Sequence, residues 1–188
     1  MTAALHPRLA ELRAELDRAR SGLLAVVEGM SAEASGHRAN PDGWSVAETV
    51  EHLMIVEQGI GRLLGKLAKQ ADALGPETAT TSVSASIDRL RLTDATRRIR
   101  SPAAVAPTGN VSLAEALTGL HEGRKRLLDL VQRVNGRAVG VLAAPHPLFG
   151  ELTFYQWLLF LAQHEERHTR QIVETMRRLS EHARAAGH

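Results

Sequence analysis

Two histidines, His164 and His168, stand four residues apart in the segment His-Glu-Glu-Arg-His, in the last quarter of the chain. In an α-helix, residues at this spacing lie one above the other on the same face. Two imidazole nitrogens placed in this way can bind one metal ion at about 2.0–2.1 Å each. The pair therefore indicates a metal site. The alternative is two core histidines that are hydrogen-bonded to buried carboxylates or waters.

The hydrophobic pattern around this pair predicts that both imidazoles point into the protein core. Apolar residues recur at helical spacing through the segment, and the two histidines fall inside the same stripe. The stripe consists of Trp157, Leu161, Ile172, Met176 and Leu179. A buried imidazole without a partner is costly, and coordination of a metal ion is one way to satisfy it.

A third histidine, His52, lies at the edge of the apolar stripe of an earlier predicted helix, one turn before Val56. A single histidine in such a place is typical of a core or boundary residue. It becomes a candidate ligand because the pair on the later helix needs a further donor. Three imidazoles leave at least one coordination position for water or substrate, which is the pattern of a catalytic metal site.

Three other residues are candidates for the same site. Glu165 follows the first histidine of the pair, as the general base does in the metalloprotease motif; we consider it as a catalytic base, with a solvated surface carboxylate as the alternative. Glu48 lies one turn before His52 and could orient or join it, although helix capping also explains a glutamate there. His146, in the loop before the last helix, is either near the open end of the site or an exposed loop residue.

Two familiar metal sites do not fit the sequence. Gln171 and Glu174 occupy the positions where an extended metalloprotease motif needs glycine and histidine, and no strands are predicted that could border a protease cleft. A di-iron carboxylate bundle needs two Glu-x-x-His segments. The chain has one, which ends at His168, because threonines stand three residues before His52 and His121.

The elements that must position these residues are helices. We predict an all-α four-helix bundle with helices at Pro7 to Met30, 46–73, 113–135 and 154–182. Capping boxes mark the last three starts, at Ser45, Ser112 and Thr153. The link from Leu74 to Val111 contains a segment, Ile87 to Ile99, that could form a short helix or lie across the bundle. A connection this long fits one crossover that spans the bundle or covers a site, between two helices that are not antiparallel neighbours.

Composition predicts one domain over residues 1–188. The net charge of +2, without a large basic patch, argues against a nucleic-acid partner, and the absence of cysteine excludes disulfides and thiolate ligands. No apolar run approaches the roughly 20 residues that a membrane span needs. The charged N-terminal segment is unlike a signal peptide. These features favour a cytoplasmic protein that has no membrane partner.

Taken together, these motifs resemble those of the DinB-like family of metal-binding bundles, of the damage-inducible YfiT type. The segment Gly43–His52 is similar to the family's approach to its first histidine. The segments Phe149–Thr153, Gln156–Trp157 and His164–Ile172 are similar to its C-terminal signature. The order of helices and the long link before the third helix also match.

The resemblance implies one Zn, Ni or Fe-type ion held by His52, His164 and His168, with water completing the shell, in a homodimer. Since some members of the family are metal-dependent enzymes, our first hypothesis is an enzyme acting on a small-molecule substrate. The ion would activate water, as in a hydrolase, or a low-molecular-weight thiol, as in an S-transferase. The alternative is a non-catalytic metal-binding or stress-response protein whose ion stabilises the bundle. A fourth protein ligand, with Glu48 as the leading candidate, would favour that alternative.

Overall fold

The computed structural model describes residues 4–84 and 102–186. Four long helices form a bundle, as the sequence predicts, and one short helix and a two-stranded hairpin are added to it. The elements in chain order are α1 (Pro7–Val27), α2 (Ala32–Gly36), α3 (Val46–Leu67), α4 (Leu113–Arg133), β1 (Ala143–His146), β2 (Gly150–Thr153) and α5 (Phe154–Ala186).

All three predicted capping boxes are formed. In each, the hydroxyl accepts a hydrogen bond from a backbone N–H of the first helical turn, and the Glu or Gln side chain accepts one from the capping residue's own N–H. The pairs are Ser45 with Glu48, Ser112 with Glu115 and Thr153 with Gln156. The starts of α3, α4 and α5 are therefore determined locally, by residues next to them in sequence.

Two apolar clusters, one at each end of the bundle, show how the four long helices run. The first cluster includes Leu12 of α1, Ile60 of α3, Leu130 of α4 and Leu158 of α5. The second includes Leu23, Val50, Leu120 and Ile172 from the same helices in the same order. Thus α1 and α5 run from the first cluster to the second, and α3 and α4 run the opposite way. Because α3 and α4 are parallel neighbours, the chain between them must return along the bundle, which confirms the predicted long crossover.

The short helix α2 and the hairpin of β1 and β2 are elements that the sequence did not predict. The strands of the hairpin pair from Ala143 with Thr153 to His146 with Gly150. Gly150 has φ 76°, the left-handed conformation that commonly closes a three-residue hairpin turn. Strands of four residues are too short to show an alternating pattern, so the turn glycine was the available signal.

Helix ends differ modestly from the prediction. The second predicted helix is α-helical only to Leu67 and continues as a 3₁₀ turn over Ala68–Ala73. The last helix extends to Ala186, beyond the predicted end at 182. In the parts of the chain that the structure describes, no helix combines the length and the hydrophobicity that a bilayer span requires.

The described ends of the crossover are tied down by two glutamates. Glu11 of α1 accepts hydrogen bonds from the backbone N–H groups of Val83 and Ser84. Glu51 of α3 accepts bonds from Thr108 and Gly109. The predicted short helix at 87–99 lies outside the described residues. The end of the crossover that leads into α4 contacts His52, one of the candidate metal ligands.

Candidate metal centre

The three predicted ligands meet in the structure. His52 comes from α3, and His164 and His168 come from successive turns of α5. The Nε2 atom of His164 lies 3.3 Å from Nε2 of His52 and 3.2 Å from Nε2 of His168. Because one potential ligand atom from each residue falls within 4.8 Å of the others, the three histidines could hold one metal ion.

These distances suit coordination better than hydrogen bonding. Two nitrogens that bind one ion at about 2.0–2.1 Å with tetrahedral angles are separated by about 3.3 Å. His52 donates its Nδ1 proton to the carbonyl oxygen of Val105, at 2.7 Å. Its Nε2 atom therefore carries a lone pair toward the other two rings, and one proton on His164 cannot satisfy both neighbours. A cation between the rings resolves this conflict.

The position of Val105 explains why the crossover matters to the site. Val105 belongs to a short 3₁₀ turn, Ala103–Val105, near the end of the crossover. Its carbonyl fixes both the tautomer and the orientation of the His52 ring, as hydrogen-bond partners of metal-binding histidines usually do. This contact could not be predicted from residue types, because any residue can supply a backbone carbonyl.

The protein environment keeps the three imidazoles neutral. Burial lowers the pKa of His52, although the bond to Val105 opposes this shift. Burial lowers the pKa of His168 to about 3, and nearby His52 and Arg167 contribute further. Burial and the surrounding imidazoles hold the pKa of His164 well below its usual value. Neutral imidazole is the form that binds metals.

Aromatic rings pack against the three ligands and hold them in place. Trp44, just before the start of α3, has its ring centre 4.9 Å from that of His52 and 6.4 Å from that of His168. Phe160, one turn before His164 on α5, stacks on it at 5.3 Å with an interplanar angle of 21°. Each of the three ligand rings therefore has a rigid aromatic ring beside it.

The three histidines line one wall of a cavity of about 460 Å³. The remaining lining is mostly apolar and includes rings from the loop before α3, from the hairpin turn and from α5. The polar residues that also line it are Asp42, His146, Arg167 and Gln171. A substrate in this cavity would lie directly beside the ion.

A second polar cluster lies deeper in the bundle, between its two apolar clusters. We call it the Arg–Glu quartet; it consists of Arg20, Glu57, Arg124 and Glu165, one from each long helix. Arg20 binds Glu57 at 2.6 Å and Glu165 at 2.5 Å, and Arg124 binds Glu57 at 3.0 Å and Glu165 at 2.7 Å. The two carboxylates hold the pKa of Arg124 above its usual value despite the opposing effect of burial.

Glu165 is buried within the Arg–Glu quartet. Its carboxylate is 2% exposed by residue area and accepts hydrogen bonds from Arg20 and Arg124. It does not line the cavity beside the histidines. The interpretation as a solvated surface carboxylate is therefore inconsistent with its position, and the role of Glu165 as a base stays a prediction. The signal available in the sequence was the presence of charged residues at core spacing, such as Arg124 between Leu120 and Leu127.

Glu48 and His146 take different places. Glu48 accepts hydrogen bonds from Ser45 and Arg38, and it is not part of the group of potential ligands found in the described chain. Burial raises the pKa of Glu48, but these bonds outweigh it and the pKa is lowered. His146 is partly buried and lines the cavity without joining the ligand group.

The fold and the site define a class: a four-helix bundle with one long crossover and three convergent histidines. A sequence model of the DinB superfamily matches residues 15–172, so the chain belongs to this superfamily.

Two individual comparisons agree with this assignment. The chain is similar to the uncharacterized protein YuaE of Bacillus subtilis strain 168, with 25% identity over 155 residues that cover 79% of this chain and 86% of YuaE. The crystal structure of TT2238, a four-helix bundle protein, superposes with a TM-score of 0.60 at 22% identity. The match covers 88% of this chain and 98% of TT2238, and it supports the fold.

Proposed function

We propose that the protein is a metal-dependent enzyme in which one Zn, Ni or Fe ion is held by His52, His164 and His168. When bound, the ion would supply the Lewis acidity that activates water or a low-molecular-weight thiol toward a small organic substrate, so the protein would be a hydrolase or an S-transferase. The observation that carries this proposal is the convergence of three neutral imidazoles on the wall of a cavity large enough for a substrate.

Each part of the site has a defined task in this proposal. A bound ion supplies Lewis acidity, which lowers the pKa of a coordinated water or thiol. The carbonyl of Val105 keeps the Nε2 lone pair of His52 directed toward the other two imidazoles, where the three residues would hold the ion. Trp44 and Phe160 limit the access of water to the ligands and restrict their rotation. The protein thus provides orientation and a largely apolar surrounding.

The choice between an enzyme and a non-catalytic metal protein depends on whether a coordination position stays free for water or substrate. A fourth protein ligand would close the shell, and Glu48 was the leading candidate. Its carboxylate is instead engaged by the capping box and by Arg38. In residues 4–84 and 102–186 the ligand group comprises three histidines, which leaves room for water or substrate and favours catalysis.

The test combines metal analysis with activity assays. Purified wild-type protein, His164→Ala and the control His121→Ala are loaded with zinc or nickel and analysed for bound metal; His121 is an exposed residue of α4. The same proteins are then assayed with p-nitrophenyl acetate, and with small thiols and 1-chloro-2,4-dinitrobenzene. We expect one ion per chain and turnover in the wild type and the control, and loss of both in His164→Ala.

Each contrary result has a definite meaning. Equal turnover in wild type and His164→Ala would remove the metal from the mechanism. Stoichiometric metal with no turnover for any substrate would favour the non-catalytic alternative, in which the ion stabilises the bundle.

We also propose that the protein forms a homodimer through the outer surface of α1 and α5. Leu24, Val173 and Met176 are large apolar residues of these two helices that remain exposed. Contiguous apolar patches mark protein contacts, and the proposal is that these three side chains act as one such patch. Sedimentation of wild type and of Val173→Glu tests the proposal, with a dimer expected for the first and a monomer for the second.

A further inference from the structure

The aromatic residues of this chain are concentrated at the cavity. The whole sequence contains two tryptophans, one tyrosine and three phenylalanines. Four of these six residues, Trp44, Phe149, Trp157 and Phe160, line the cavity beside the histidines. Most of the bundle core is built from Leu, Val and Ala. Since aromatic rings are so rare elsewhere, their presence here indicates a surface that contacts an apolar ligand.

His146 lies among these rings. Its ring centre is 4.6 Å from that of Phe149, with an interplanar angle of 29°, 4.8 Å from that of Phe160 and 5.2 Å from that of Trp157. His146 is the last residue of β1, and Phe149 ends the turn that Gly150 closes. The hairpin therefore carries an imidazole to the cavity wall and packs it there from several sides.

A hydrogen bond within the turn fixes the tautomer of His146. Its Nδ1 atom accepts a hydrogen bond from the backbone N–H of Leu148, at 3.1 Å. Because Nδ1 is the acceptor, a neutral ring carries its proton on Nε2. Burial lowers the pKa of His146, which favours this neutral form. No residue of the described chain accepts a hydrogen bond from Nε2, so this N–H remains available as a donor at the cavity.

We propose that the cavity selects an organic substrate with an apolar, ring-sized body, and that His146 is a specificity-determining residue that donates a hydrogen bond from Nε2 to an acceptor atom of that substrate. The proposal deepens the proposed function, on which it rests, by naming the class of molecule placed beside the ion. An acceptor such as a carbonyl oxygen, attached to an aromatic or similarly apolar group, satisfies both requirements.

Matched probes that differ only in their apolar body test the first part of this proposal. Zinc-loaded protein is titrated with benzohydroxamate and acetohydroxamate, and metal-free protein with benzamide and acetamide. Both tryptophans line the cavity, so tryptophan fluorescence reports binding there. We expect each aromatic probe to bind at least about tenfold more tightly than its methyl counterpart. The preference should shrink in Phe149→Ala and persist in Val141→Ala, which changes an exposed residue outside the cavity.

Substitutions of His146 test the second part. His146→Phe keeps a ring and removes the donor, so we expect both hydroxamates to bind about three- to tenfold more weakly, with unchanged zinc affinity. His146→Gln supplies an N–H again and should restore part of the loss. His121→Phe, the same substitution at an exposed position, should bind like the wild type.

Two results would overturn the inference: equal affinity for the aromatic and methyl probes, or hydroxamate affinities that His146→Phe leaves unchanged. The metal-free titrations separate this inference from the proposed function. If zinc does not bind or no turnover is found, a preference for benzamide still supports the aromatic cavity. If turnover depends on His164 but no preference for aromatic probes exists, the substrate class is wrong and the metal-dependent mechanism stands.

Discussion

The bundle contains two buried polar clusters that differ in completeness. The Arg–Glu quartet balances two guanidinium groups against two carboxylates, and both carboxylates are held by both arginines. The histidine cluster brings together three neutral imidazoles, each of which offers one nitrogen as a potential metal ligand. The ion pairs of the first cluster satisfy its own charges, whereas the second cluster could be completed by a metal ion. Burial alone therefore does not distinguish the two clusters; the unmatched ring nitrogens of the histidines do.

The two clusters meet at neighbouring positions of one helix. His164 belongs to the histidine cluster and Glu165 to the quartet. Successive residues of an α-helix differ in direction by about 100°, so one residue faces the cavity and the next faces the centre of the bundle. A motif that names both residues can therefore describe two separate sites.

The largest effect is expected from breaking the quartet. Arg124→Met leaves two buried carboxylates with only Arg20 as a partner, which should lower the free energy of unfolding by about 3–5 kcal/mol. Urea unfolding measures the change. The control is Arg126→Met, which removes an exposed pair with Glu122 on the same helix and should have little effect. Equal stability of the two variants would mean that the quartet is not a structural unit.

Zinc binding to the histidine cluster should give the next largest effect on the free energy of unfolding. Zinc at about 100 times its dissociation constant should raise the unfolding free energy of the wild type by about 2.7 kcal/mol. Thermal unfolding with zinc and with chelator measures this difference. Arg126→Met should show the same increase, and His168→Ala should show almost none. A zinc effect that survives in His168→Ala would place the ion elsewhere.

Glu165→Gln tests whether Glu165, which directly follows the candidate ligand His164, acts in the quartet or in the reaction. The change removes one charge from the quartet and should lower the unfolding free energy by about 1–3 kcal/mol. Turnover per bound ion should stay close to that of the wild type, in any assay where the wild type is active. A general base would instead lose about 10²–10⁴ in rate. Such a loss would show that Glu165 takes part in the reaction and would contradict its assignment to the quartet alone.

The smallest effect is expected at the start of α3. Ser45→Ala removes the hydroxyl of a capping box and should cost about 1 kcal/mol of stability. The amount of zinc bound per folded chain should not change, because Glu48 and Ser45 are outside the ligand group. Metal analysis beside urea unfolding checks both statements. Loss of zinc in this variant would show that the cap also belongs to the site.

The parts that the sequence could predict are those encoded by local spacing. Capping boxes fix the starts of three helices, and the interval between His164 and His168 places two ligands on one face. His52 could be predicted because a metal ion bound by this pair needs a further ligand. The quartet depends on how four helices rotate relative to one another, and the support of His52 comes from a backbone carbonyl of Val105. Neither leaves a pattern within a single segment.

The distance along the chain between the ligands has a consequence for the order of events during synthesis. His52 and His164 are separated by 112 positions, and Val105, which orients His52, lies between them. At about 5–20 residues per second, a ribosome completes the first ligand several seconds before the second. An ion that needs all three imidazoles can therefore bind only after α5 has been made and docked. Metal occupancy would then report that a chain has finished folding.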